Sequence, residues 1–284
     1  MPAAWRKWVI GEFSPRRLLL SLAEIYLLVM IGGYLVSDRL IFCPQESYYL
    51  VDGAVYSRIP VNDRESIVLF EAPGPPGAPA VLFIHGNAED VGDLRPLLED
   101  YAARGFRVFS FDYRGYGLSD GRPGFRRAQE DTEAVYRHLV EAKGVEPRRL
   151  IVHGRSVGAA FAVPLAADHP VGGLIVQSGF VSAFRTLTRL PLFPLDKGRN
   201  LRTIRRVRCP ILIVHGLRDA IIPPWHGRAL YDAAPSPKEF LWTAGAGHDD
   251  VPDEGGEAYW TRLVSFASLV DRFWSVPGES GKSP

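Results

Sequence analysis

Hydrophobic positions fall into three regimes along the chain. Residues 18–36, LLLSLAEIYLLVMIGGYLV, form an almost unbroken apolar run. From about residue 45, short β-branched and aromatic runs alternate with stretches of helical periodicity. The closing VPGESGKSP, 276–284, has neither pattern and is expected to be a flexible tail. Strands are predicted at 66–72, 80–86, 107–113, 149–154, 173–178, 211–216 and 239–243, and helices at 92–104, 126–143, 157–168, 225–234 and 256–274. Short hydrophobic strands alternating with helices predict an α/β domain over 45–275. Its sheet would be mostly parallel, of about eight strands, with helices on both faces. Residues 180–208 break the alternation, carry Pro191 and Pro194, and are expected to form a small cap over the sheet's carboxyl edge.

The apolar run is long enough to matter by itself. As a helix it would span about 28 Å at about 1.5 Å per residue, close to a hydrocarbon core of about 30 Å. Glu24 opposes insertion by about 3 kcal/mol. Roughly a dozen Leu, Ile, Val and Met side chains each favour it by about 0.3–0.6 kcal/mol. The sum predicts an uncleaved transmembrane anchor at 18–36. Arg6, Lys7, Arg16 and Arg17 precede the run, and only Arg39 follows closely. That asymmetry predicts a cytoplasmic segment 1–17 and a main domain on the non-cytoplasmic side. A signal peptide and a monotopic helix are the alternatives. The run is long for a signal peptide, and LVSDRL offers no small-x-small cleavage site.

Composition adds little beyond this. A formal net charge of +1 gives no reason to expect a nucleic-acid partner. Cys43 and Cys209 are far apart and form neither a disulfide framework nor a zinc pattern. Phe42 stands where a lipidation signal would have a small residue, so Cys43 is not read as lipidated.

The chemistry concentrates at predicted strand ends, where open α/β sheets bind ligands. In LIVHGRSVGAAFAV, Ser156 sits between Gly154 and Gly158 where a strand turns into a helix. This G-x-S-x-G pattern pushes a serine oxygen clear of the sheet. A serine needs a base to become a nucleophile. Asp219, just past the strand in CPILIVHGLRDAIIP, is the candidate acid. His248, in the Gly-rich AGAGHDDV after the last strand, is the candidate base. Of the remaining histidines, His85, His153 and His215 end strands and read as packing and hydrogen-bonding residues. Backbone N–H groups of Val157 and of Asn87, in HGNAED, are the candidate oxyanion donors, with Ala88 as the alternative to Asn87.

LFIHGNAED, FDYRGYGLSDG, VHGRSVGAA, VHGLRD and GAGHDD together resemble the α/β-hydrolase superfamily. The likeness is greatest to its membrane-anchored branch of depalmitoylase and bud-emergence-type serine hydrolases, and extends more broadly to serine aminopeptidase and monoglyceride lipase relatives. It covers roughly residues 45–275. The resemblance implies an α/β-hydrolase fold with Ser156 as nucleophile, Asp219 as acid and His248 as base. It also implies a supporting role for the loop Asp112–Gly117, and needs no cofactor or metal. Where relatives often have HGNAGN, this chain has HGNAEDVGD, and Glu89 and Asp90 are expected to add negative charge near the entrance.

Substrate is argued from the cap. Phe180, Phe184 and Leu187, with Leu190, Leu192 and Phe193, would line an apolar acyl pocket or simply form cap core. RNLRTIRRVRC, 199–209, carries five arginines and would rest on anionic headgroups or form a solvated face. The expected function is hydrolysis of carboxylic ester or thioester bonds in lipid-like acyl substrates, including lipids or lipidated proteins, at a membrane. A serine aminopeptidase or amidase is the enzymatic alternative, and a non-catalytic membrane-tethered binding module is the alternative of another class.

Overall fold

The computed structural model describes residues 14–51 and 55–275. The segment 1–17, apart from its last four residues, and the tail 276–284 lie outside them. The first element is a long helix, α1 (Pro15–Ile41), with proline in its first turn, where the missing N–H costs nothing. It is long and apolar enough to cross a membrane. It runs five residues beyond the predicted stretch, and its C-cap is Phe42, whose N–H donates to the Asp38 carbonyl. Phe42 drops into the core against Tyr113, Tyr116 and Phe161.

Eight strands form one sheet: β1 (Tyr56–Pro60), β2 (Ser66–Ala72), β3 (Ala80–Ile84), β4 (Arg107–Phe111), β5 (Leu150–Arg155), β6 (Gly173–Gln177), β7 (Ile211–Gly216) and β8 (Lys238–Thr243). Their order is β1-β2-β4-β3-β5-β6-β7-β8. The strands from β4 to β8 run parallel, while β1–β2 and β2–β4 are antiparallel. Every residue of β3, β5, β6 and β7 is buried, as expected of parallel strands covered on both faces. β1 was not among the predicted strands. It is an edge strand of only five residues whose burial alternates imperfectly, so its pattern is too short to read.

Helices α3 (Phe125–Glu141) and α4 (Ala159–Asp168) cover one face, and α2 (Arg95–Ala103) and α7 (Val251–Ser275) the other. The polar-to-apolar spacing of α3 supplies one buried stripe, including Ala128, Val135 and Leu139, whereas α4 is apolar and buried on nearly all sides. Helix α6 (Trp225–Ala233) follows β7. Between β6 and β7, the stretch read as a cap holds only short turns and α5 (Asn200–Thr203).

One face of α1 lies on that stretch. The Tyr26 hydroxyl donates to the Leu192 carbonyl. A Cβ on Gly33 would come within 3.2 Å of the Phe193 ring. Lys197 Nζ donates to Asp38 Oδ1 at 2.6 Å, and Met30 is buried. Ser37 is buried as well, Gly33, Asp38 and Ile41 are half-buried, and the remaining residues of α1, Glu24 included, are exposed.

Candidate active site

The sheet register brings two loops together at its carboxyl edge. Ile84 of β3 pairs with Gly154 of β5, so residues 85–88 emerge beside residues 155–157. Ser156 follows β5 with φ of +53°, a conformation that costs a non-glycine residue about 1–3 kcal/mol. The flanking glycines make the corner sterically feasible. A Cβ at Gly158 would lie 2.0 Å from the Ile84 carbonyl oxygen, and one at Gly154 would lie 2.6 Å from Ala162 Cβ. β5 therefore ends, turns and enters α4 within a few residues, and the serine side chain is partly exposed.

Asp219 follows β7 and His248 follows β8. Their loops are tied together by Leu217 N–H to the Thr243 carbonyl and Arg218 N–H to the Ala246 carbonyl, both 2.9 Å. Gly216 permits this approach, since a Cβ there would meet the Gly247 carbonyl oxygen at 2.1 Å. As a result, His248 Nδ1 lies 2.8 Å from Asp219 Oδ2 and His248 Nε2 lies 2.9 Å from Ser156 Oγ. A carboxylate can only accept, so Nδ1 carries the proton and Nε2 is free to accept from the Ser156 hydroxyl.

Asp219 is 3% exposed yet held as an anion. Burial raises its carboxyl. Hydrogen bonding to His215 and His248, the charge of the imidazole and the Ile222 N–H together outweigh burial and hold it well below the usual carboxylate range. Ile221 and Ile222 N–H groups both donate to Oδ1, at 3.0 and 2.7 Å, leaving Oδ2 for the histidine.

Two further residues support this arrangement: His215, which the sequence reads as a packing and hydrogen-bonding residue, and Ser178, which the sequence does not single out for this role. His215 Nε2 donates to the Ile222 carbonyl at 2.8 Å and stands 3.4 Å from Asp219 Oδ2, bracing the acid's turn. Ser178, with φ of +49°, donates from its hydroxyl to the His248 carbonyl at 3.2 Å. A strand-end histidine was the only signal for the first. Nothing local marks the second, because its partner is distant in sequence.

The loop after β3 is equally restrained. Its Asn87 carbonyl accepts the Tyr116 hydroxyl at 2.8 Å and Cys43 N–H at 3.2 Å. Gly86 N–H donates to Glu89, and a Cβ on Gly86 would lie 3.7 Å from Ser156 Cβ. The next amides along are those of Asn87 and Ala88. Behind them, Asp112 accepts from the Tyr49 hydroxyl and from Val91 N–H; burial pushes its carboxyl up to about 7.

Glu89 and Asp90 do not act as the free charges expected of them. Glu89 forms an ion pair with the buried Arg155, whose Nε lies 3.0 Å from Oε1. Asp90 is buried, accepting from Ser47 and from Gly92 and Asp93 N–H groups. The three aromatic and aliphatic candidates for an acyl pocket have different surroundings. Phe180 belongs to the main core, Phe184 stacks on Phe193 beside α1, and Leu187 is 81% exposed. A cavity of about 470 Å³ does exist in this region, lined by Phe193, Pro191 and four arginines, but by none of those three. The sequence pattern identified them as apolar; only packing decides which apolar residues share a pocket. Among the described residues no cluster of His, Cys, Asp and Glu is arranged to hold a metal.

Comparison with known proteins agrees with this architecture. Residues 76–193 match the family model for serine aminopeptidase, S33. The human alpha/beta hydrolase domain-containing protein 17B is 35% identical over 191 residues, covering 66% of either chain. The Caenorhabditis elegans alpha/beta hydrolase domain-containing protein aho-3 is 34% identical over 197 residues, 66% of this chain and 57% of that one. The chain thus spans less than two thirds of the length of some of the curated relatives it matches. Among solved structures, the Pyrococcus furiosus esterase Pf2001 superposes with a TM-score of 0.64 at 18% identity, over 81% of this chain and 99% of its own. That likeness is one of fold.

Proposed function

The chain belongs to the α/β-hydrolase superfamily, and on that footing we propose that it is a membrane-anchored serine hydrolase cleaving ester or thioester bonds of lipid-like acyl groups. Ser156 attacks the acyl carbonyl while His248 Nε2 takes its proton. Asp219 keeps the imidazole in the required tautomer and stabilises the imidazolium that forms. The Asn87 and Val157 N–H groups receive the oxyanion of the tetrahedral intermediate. His248 then protonates the departing alkoxide or thiolate, leaving an acyl-Ser156 ester. Water, deprotonated by the same imidazole, hydrolyses that ester and restores the serine.

The observation that carries this reading is the line Ser156 Oγ–His248 Nε2–His248 Nδ1–Asp219 Oδ2, with separations of 2.9 and 2.8 Å. The membrane half rests on α1, with Arg16 and Arg17 at its start directing the N-terminus to the cytoplasm. The lipid-like acyl preference rests on the apolar surface around residues 187–195, next to that helix.

Full-length protein in detergent should label with a fluorophosphonate probe, and Ser156→Ala should abolish labelling. A folded wild type that does not label is a binding module rather than an enzyme. Turnover of p-nitrophenyl esters should rise with acyl chain length. A preference for aminoacyl anilides would instead make the protein an aminopeptidase. Protease added outside intact cells or spheroplasts should reach the catalytic domain, and protection of the domain would reverse the topology.

A further inference from the structure

We propose that the segment Leu187–Leu195 enters the bilayer beside α1, and that the arginine-lined cavity behind it receives anionic lipid headgroups. The inference rests on the reading of α1 as a membrane anchor, and says which further part of the molecule the membrane contacts.

The first observation is geometric. Contacts between α1 and the β6–β7 segment begin as early as Tyr26, at Leu192, and continue through Gly33 at Phe193 to Asp38 at Lys197. Twelve residues of helix, about 18 Å, therefore lie alongside this segment. From Pro15 to Tyr26 only about 16 Å of α1 projects free, about half of a hydrocarbon core. A span starting at Arg16 and Arg17 must then take in residues as far as about 36 to cross. Those residues are the ones in contact with Leu192 and Phe193. The segment cannot stay in water while the helix it touches crosses the membrane.

The second observation is chemical. Leu187, Leu190, Leu192 and Leu195 are 81, 64, 47 and 60% exposed, four leucines within nine residues of one surface loop. Exposed apolar clusters of this kind mark contact surfaces. Inserting a leucine is favourable by transfer free energy, and the loop's backbone is partly satisfied internally: Leu192 N–H donates to the Leu190 carbonyl, and Thr188 Oγ1 to the same oxygen.

The third is electrostatic. Arg185, Arg199, Arg202 and Arg205 line the cavity with Pro191 and Phe193. Its one carboxylate, Asp196, accepts the Phe184 N–H through Oδ1. Arg202 and Arg205 make no side-chain ion pair among the described residues and are exposed. Buried Ile204 and Val207 alternate with the arginines, so the basic groups share the outer side. A basic rim bordering an apolar tip matches the layering of phosphate over acyl chain in a leaflet. The bilayer segment begins at Leu187, nine residues along the chain from Ser178, whose hydroxyl donates to the His248 carbonyl.

The test uses full-length protein reconstituted in vesicles of phosphatidylcholine with equimolar phosphatidylglycerol. Exposed Cys43 is changed to Ser; buried Cys209, its thiol pushed up to about 12 by burial, stays unreactive. Single Leu187→Cys, Leu190→Cys and Leu195→Cys variants carry an environment-sensitive fluorophore. Leu19→Cys on α1 and Glu257→Cys on α7, exposed on the opposite face of the sheet, are controls. Quenching by acyl-chain spin-labelled lipid should be as strong at the three loop positions as at Leu19→Cys and absent at Glu257→Cys. Quenching at Leu19→Cys alone overturns the inference while leaving the anchor intact. No quenching at either place removes the anchor reading as well. In vesicles of phosphatidylcholine alone, or with Arg202→Gln and Arg205→Gln, loop quenching should weaken. Unchanged quenching there would overturn the headgroup assignment.

Discussion

Glu89, in the loop after β3, clasps Arg155, the residue immediately before Ser156. The same carboxylate accepts Gly86 N–H, so one side chain ties the candidate oxyanion loop to the nucleophile's corner. Arg155 is 8% exposed, and burial lowers its guanidinium, which makes the pairing obligatory. Glu89→Gln keeps an acceptor for Gly86 but leaves a buried cation unpaired. It should cost about 3 kcal/mol of stability by chemical denaturation, because breaking one side of a buried pair exposes the desolvation penalty. Removing both charges, with Arg155→Met added, should recover most of that loss. Equal destabilisation by the single and double variants would show that the pair carries no electrostatic role.

Asp219 holds the imidazole through one oxygen, while two backbone amides hold its other oxygen. Asp219→Asn should therefore fold normally, yet lower kcat by about 10⁴-fold through loss of the tautomer. KM should change little. Because its carboxyl is held well below the usual range, Asp219 stays ionised across mild acid. Asp219 itself should then contribute no step to the acid limb of the wild-type rate profile, and single-turnover kinetics against pH would read this directly.

The corner at Ser156 leaves no room for a methyl group at position 158. Gly158→Ala must displace either the Ile84 carbonyl or the start of α4. We expect a loss of about 3 kcal/mol or more, and loss of fluorophosphonate labelling in whatever remains folded. Near-wild-type stability and labelling would contradict the packing of β5 against β3 described above.

His153 is fully buried, with Nδ1 toward the Tyr101 hydroxyl at 2.7 Å. Burial lowers its imidazole to about 3. Below about 6.5 the unfolded chain binds a proton that the folded chain refuses. This residue's contribution is thus complete above about 6.5 and is lost as pH falls toward 3. His153→Gln, which keeps an acceptor for Tyr101, should remove about 1.4 kcal/mol per pH unit from the acid slope of stability. Denaturation of both proteins in detergent at about pH 7 and about pH 5 measures the difference. Parallel slopes would mean that the site hydrates or opens.

What the sequence determined by itself is what local chemistry controls. A strand, two glycines around a serine and a run of small residues can form little other than a sharp strand-to-helix corner. The fully buried strands β3, β5 and β7 announce themselves through their apolar runs. The apolar length of α1 is likewise a property of consecutive residues. Tertiary structure decided what depends on partners far along the chain. It joined Glu89 to Arg155 and Ser178 to His248, and paired the five-residue β1 against β2. It also put Phe180 in the core and Leu187 at the surface, although both are simply hydrophobic in the sequence. Burial and ion pairing are properties of the space between segments, and that space exists only once sheet order and register are set.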